Sequence, residues 1–176
     1  LFVELVQAVR QQAPGCRIEI LIPDLGGNRQ ALKKILDAGP DVLGHNMETV
    51  PRLYAHVRSQ ASYLRSLELL RNCKEMKEDI PTKSGLMLGM GETREEITSV
   101  MKDLIGTGCR LLTLGQYLQP TRGHLPVHRF VEPSEFDEFK RLALELGFLG
   151  VASGPHVRSS FQAGRLFRQV AQPSLV

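Results

Sequence analysis

Apolar and polar residues along this chain keep switching between a helical and an extended rhythm. Residues 2–12 space their apolar positions at helical intervals and stop at Pro14-Gly15. The β-branched run at 17–22 is cut by Pro23 and predicts a strand. Asn28 opens a helix to Ala38, where Gly39-Pro40 ends it. Residues 42–45 predict a second strand, and 64–76 a helix with one apolar stripe through Leu67 and Leu70. A third strand over 82–88 runs into Gly89-Met90-Gly91-Glu92. Thr93 and Glu96 then have capping-box spacing for a helix through Ile105. Residues 111–114 and 150–153 predict two more strands, with helices over 134–146 and 161–170.

Strands alternating with helices mean βαβ units and a parallel α/β sheet. Five strands suit a small open sheet or the latter half of a barrel of six or eight. In either case chemistry gathers at the C-terminal strand edges. The unusual residues fall there: Asp24 after the first strand, His45, Asn46 and Glu48 after the second, and Gly89 to Glu92 after the third. Gln116 follows the fourth and residues 153–160 the fifth, while Lys83 and Ser84 lie within the third. The loop over 116–132 is long enough to predict a functional or mobile segment.

Composition narrows the class. The chain has 176 residues, 42% apolar and 23% charged, which fits one globular domain and excludes disordered, collagen-like and coiled-coil classes. A net charge of +3, spread along the chain, gives no argument for nucleic acid. No apolar stretch approaches the roughly 20 residues of a membrane span. Cys16, Cys73 and Cys109 are odd in number and widely spaced, which fits isolated thiols in a reducing compartment better than a disulfide framework or a metal knuckle. The chain opens with Leu1 inside a helical pattern that lacks a signal peptide's basic region, so it is expected to be part of a longer polypeptide.

Several residues carry candidate chemistry. Asn46 and Glu48 stand two apart at a strand end, so both could face one way and accept hydrogen bonds from a ribose diol. The same residues would also serve as a turn and as charge in a helix's first turn. Gly89 and Gly91 would let the backbone approach a ligand and leave amides free, or simply make a tight strand-to-helix turn. Lys83, in an otherwise apolar strand, suits either a ligand carboxylate or a structural ion pair. Ser159 and Ser160 could cap the last helix. His124 and His128 are separated by Pro126, which excludes a helical zinc pair.

Longer motifs point to a family. Glu19-Ile-Leu-Ile-Pro-Asp24, the run from His45 through Asn46 and Glu48 to Tyr54, and Thr82-Lys-Ser-Gly-Leu-Met-Leu-Gly-Met-Gly-Glu-Thr93 resemble the lipoyl synthases, radical S-adenosylmethionine (SAM) enzymes. Gly115-Gln-Tyr-Leu-Gln-Pro120, His124-Leu-Pro-Val127, residues 148–155 and Arg158-Ser-Ser160 extend the resemblance over essentially the whole chain. The resemblance implies a partial (β/α)6 barrel of radical SAM type. Residues 1–155 would be its latter part and 156–176 a C-terminal extension carrying Arg158-Ser159-Ser160. It implies insertion of sulfur at C6 and C8 of an octanoyl chain. The chain would be borne by a lipoyl carrier domain or the glycine-cleavage H protein. It also implies SAM, two 4Fe-4S clusters, an electron donor such as flavodoxin or ferredoxin, and a cytoplasmic location of bacterial type, with a mitochondrial one left open.

The resemblance assigns roles residue by residue. Asn46 and Glu48 match the positions that hold the SAM ribose. The stretch with Gly89 and Gly91 matches the motif beside the adenine and the methionine end. Lys83 and Ser84 suit the SAM carboxylate, with Arg65 a further candidate, and Gln116 faces SAM or substrate. Ser160 matches a serine ligand of the auxiliary cluster, whose charge Arg158 would support. Phe161 stands where the family usually has Tyr. The three cysteines do not have the family's cluster spacing, so the cluster cysteines are expected upstream of Leu1 and the chain alone is expected to be inactive. A biotin-synthase-like sulfur inserter and a non-catalytic α/β nucleotide-binding module are the alternatives.

Overall fold

The computed structural model describes residues 1–171. Five parallel strands form one sheet in the order β1-β2-β3-β4-β5. They are β1 (Glu19–Leu21), β2 (Val42–Gly44), β3 (Thr82–Leu88), β4 (Leu111–Gln116) and β5 (Gly150–Ser153). Helix α1 (Phe2–Gln12) precedes β1, and α2 (Arg29–Asp37) joins it to β2. The crossover to β3 holds α3 (Tyr54–Val57) and α4 (Tyr63–Met76). Helices α5 (Arg94–Gly106) and α6 (Pro133–Glu145) make the next two, and α7 (Ala163–Ala171) follows β5.

The strand order never reverses. Reversal is what puts helices on both faces of a doubly wound sheet. Without it, right-handed crossovers stack the connecting helices on one face and leave the other free. The sheet is therefore a length of (β/α) barrel wall, as the sequence pattern allowed and the resemblance implied.

The period of two in β3 shows how the two faces are made. Leu86 and Leu88 enter the main core with Leu70 of α4, Ile97, Met101 and Leu104 of α5, and Phe136 and Phe139 of α6. Burying each such side chain stabilises the fold by about 1.5–3 kcal/mol. Lys83, Gly85 and Met87 take the opposite, concave face, and so do Leu111, Thr113 and Gly115 of β4. Large apolar groups lie under the helices, while the concave face mixes glycine and threonine with larger residues such as Met87 and Leu111. Helix α7 crosses to the concave side, where Leu166 packs with Val42, Leu111 and Ala152.

Boundaries differ from the sequence pattern for local reasons. Strand β2 shares only the Leu43↔Thr82 and Gly44↔Lys83 pairs with β3, so the regular strand ends at Gly44, although the His45 amide still donates to the Lys83 carbonyl. Strand β4 runs two residues beyond Leu114 because its ladder with β3 continues to Leu88↔Gln116. The 3-10 turns at Leu25–Gly27 and Pro51–Leu53, and the single-turn α3, are too short to show a period. Helix α5 has the expected capping box between Thr93 and Glu96. Of the C-terminal extension expected over 156–176, residues 172–176 lie outside the described residues.

Candidate cofactor-binding site

A cleft of about 470 Å³ opens on the concave face at the C-terminal strand edges. Asn46 and Glu48 form one wall, Gly85 and Met87 with Thr113 and Gly115 the floor, and Arg158 and Ser159 part of the rim. Two missing side chains make the floor. A Cβ on Gly85 would sit 2.7 Å from Thr113 Oγ1 and 2.9 Å from Asn46 Oδ1, and one on Gly115 only 2.2 Å from the Val157 carbonyl.

Asn46 and Glu48 do share a face, but not through regular extended backbone. Glu48 has a left-handed φ of 67°, which a side chain other than glycine adopts at some cost. It is pinned there by β3: its amide donates to the Gly85 carbonyl at 3.0 Å, and its carbonyl accepts from the Met87 amide at 2.8 Å. Its side chain then turns back, and Asn46 Nδ2 donates to Glu48 Oε1 at 3.1 Å. The other Nδ2 proton goes to Ser159 Oγ at 2.8 Å.

Arg58, a residue the motifs did not single out, supports this wall from behind. Its guanidinium donates to the Asn46 carbonyl at 2.8 Å and to the Tyr54 hydroxyl at 2.9 Å, and it lies over the Tyr54 ring. Burial pushes the Glu48 carboxyl above the ordinary glutamate range, with the Asn46 hydrogen bond and the Arg58 charge opposing it. Next door, burial lowers the pKa of His45 despite the Ile22 carbonyl at its Nδ1. That carbonyl fixes Nδ1 as the protonated nitrogen of the neutral ring and leaves Nε2 buried without a partner.

The structure does not bring the other predicted residues to the cleft in the manner expected. Lys83 lies on the concave face but below the opening. It reaches over side-chain-free Gly44 and pairs with Glu19 at 2.7 Å, the structural ion pair that the sequence left open. Ser84 points to the opposite face, where its hydroxyl accepts from the Met47 amide at 3.2 Å. A period of two forbids Lys83 and Ser84 from sharing a side.

The glycine turn is occupied by its own carboxylate. The amides of Gly89 and Met90 both donate to Glu92, so they are not free for a ligand as expected. Gly89 (φ 106°) is overlaid by the returning loop, with the Arg129 carbonyl and Gln116 Nε2 each 2.4 Å from where a Cβ would be, and Gly91 lies beside His128. Gln116 borders the cleft, but its amide group is engaged by that loop. Its amide donates to the Tyr117 and Arg129 carbonyls and accepts from Val131 N. Arg65 is engaged by Asp24 at 2.6 Å.

Ser160 is exposed on the turn after Ser159. Burial pushes the Cys109 thiol up to about 11 and the Cys73 thiol up to about 12, which suits inert core residues, while Cys16 is exposed. Among the described residues no three His, Cys, Asp or Glu side chains are grouped to hold a metal, so these residues do not by themselves supply the ligand set of an iron–sulfur cluster. They do fit a ribose. The wall offers carboxylate and amide oxygens above a glycine floor that a Cβ would fill. No described helix is long and apolar enough to cross a membrane.

Comparison with known proteins gives the family and the fold. Residues 1–104 match the radical SAM superfamily. A lipoyl synthase from Desulfotalea psychrophila is 55% identical over 96% of this chain and 56% of its own length. One from Haemophilus influenzae is 58% identical over 92% of this chain and 51% of its own. This chain thus spans about half the length of the curated relatives it matches. A crystal structure from Burkholderia cenocepacia shares the fold alone, with 10% identity and a TM-score of 0.50 over 98% of this chain and 77% of that one. A radical SAM methyltransferase, TsrM from Kitasatospora setae, aligns over 64% of this chain and 23% of its own, with 15% identity and a TM-score of 0.48. The chain belongs to the radical SAM superfamily, and the curated proteins it resembles over nearly all its length are lipoyl synthases.

Proposed function

We propose that this chain is the C-terminal part of a lipoyl synthase and supplies the SAM-binding half of its active site. The observation that carries the reading is the Asn46–Glu48 wall over the Gly85 floor, in a chain 55–58% identical to lipoyl synthases. Bound SAM would supply a carbon radical able to abstract hydrogen from an unactivated chain. The residues present bind and orient it. Asn46 and Glu48 would accept the ribose hydroxyls, Arg58 holds Asn46 in place, and the floor without side chains at Gly85 and Gly115 would leave room for the nucleoside.

The finer proposals follow the relatives. The reaction would put sulfur at C6 and C8 of an octanoyl group on a lipoyl carrier domain or the H protein. Flavodoxin or ferredoxin would deliver electrons in the cytoplasm. Two 4Fe-4S clusters would take their cysteines from polypeptide outside this chain, so the chain alone would be inactive. Ser160, on the exposed turn beside the cleft, would be the oxygen ligand of the auxiliary cluster, and Arg158 would offset its charge.

Titration calorimetry with SAM tests the reading. Asn46→Ala and Glu48→Ala should each weaken binding by about 10- to 100-fold, the roughly 1–3 kcal/mol of a lost buried polar partner. Unaltered affinity in both variants would reduce these residues to a turn.

A further inference from the structure

The Asn46 amide has two N–H donors, and both are spent inside the protein, one on Glu48 Oε1 at 3.1 Å and one on Ser159 Oγ at 2.8 Å. What remains for a ligand is Oδ1, turned over the Gly85 floor. Glu48 keeps its second carboxylate oxygen, Oε2. The Asn46–Glu48 pair therefore presents acceptor oxygens to the cleft, the complement of two neighbouring hydroxyls. Without Ser159, the Asn46 amide would lose one of the two partners that fix which way it faces, and Oδ1 would no longer be held toward the cleft.

Ser159 reaches Asn46 from 113 positions away along the chain, and its loop is seated rather than loosely laid. The Val157 carbonyl rests against Gly115, where no side chain could fit, and the Arg158 guanidinium donates back to that carbonyl at 2.6 Å. Val157 itself is buried in the cluster with Leu111 and Leu166. A loop clamped this way holds the Ser159 hydroxyl at a fixed place on the rim.

From this geometry we propose that Ser159 is a positioning residue for the nucleoside site. By engaging the second Asn46 N–H it fixes the amide with Oδ1 toward the ligand, so that the wall selects a ribose with both hydroxyls, and it ties the C-terminal loop to that wall. The inference rests on the ribose reading of Asn46 and Glu48 given above. It also makes the turn bearing Ser160 mechanically adjacent to the cofactor.

The test measures binding of SAM and of its 2′-deoxy counterpart, in the protein as its gene encodes it. Wild type should prefer SAM by about tenfold or more, as sites built to hydrogen-bond a hydroxyl do. Ser159→Ala should shrink that preference several-fold, and Ser159→Thr, which keeps the hydroxyl, should restore it. Without nucleotide, trypsin should cut after exposed Arg158 several-fold faster in Ser159→Ala than in wild type. An unchanged preference overturns the proposal, even if cleavage quickens, since Ser159 would then be only a structural tie. If Asn46→Ala and Glu48→Ala bind SAM normally, the ribose reading falls and this role with it. If they bind weakly while Ser159→Ala keeps the wild-type preference, only the role of Ser159 fails.

Discussion

The Glu48 side chain carries most of the site's electrostatic tension. Its backbone is held left-handed by two hydrogen bonds to β3, and its carboxyl is pushed up by burial. The sign of the consequence follows from linkage. A carboxyl raised in the folded state contributes stability that is fully present below its unfolded value. That contribution is lost as pH rises through the folded value. Thermal melts should therefore show wild type losing stability relative to Glu48→Gln from about pH 4.5 upward, and a flat difference would remove Glu48 from this account. Ribose hydroxyls donate to the ionised form, so SAM affinity should rise across the same window. At this scale the sequence displayed Asn46 and Glu48, because their chemistry is unusual at a strand end. It did not display Arg58 or Ser159, whose relevance comes from reaching Asn46 through space.

Among the elements, the β4 terminus and the loop that follows it depend on one side chain. Gln116 makes two donor bonds and one acceptor bond to backbone at Tyr117, Arg129 and Val131, closing the loop over Gly89. Gln116→Ala leaves those buried groups without partners, which costs about 1–3 kcal/mol. It should lower the melting temperature and speed tryptic cleavage at Arg122 in the loop. An unchanged melt and digest would show that the loop is held by other means. A long loop of this kind reads from sequence as mobile or functional, and Gln116 as a ligand residue. Nothing in a one-dimensional pattern distinguishes an amide facing a ligand from one facing its own loop. Likewise the Gly89-Met90-Gly91 turn looks like free amides until Glu92 is seen to occupy two of them.

For the whole molecule, the decisive feature is a sheet that ends twice. Among the described residues strand β1 pairs only with β2 and β5 only with β4, so each leaves an unpaired edge, and Leu21 beside the first is half exposed. Such edges recruit other chains. The 176-residue chain expressed alone should therefore associate in light scattering as its concentration rises, and a strictly monomeric species with a sharp melt would contradict this. The alternation of strand and helix was written in the sequence, because hydrophobic periods of two and 3.6 are local properties. So was the capping box of α5. Tertiary structure alone decided which polar groups meet. Lys83 chose Glu19 across β2, Ser84 turned its back on the cleft, and the C-terminal loop returned to hand Asn46 a partner. Hydrogen bonds and ion pairs of that range are set by how strands stack and loops return, and sequence spacing carries no record of either.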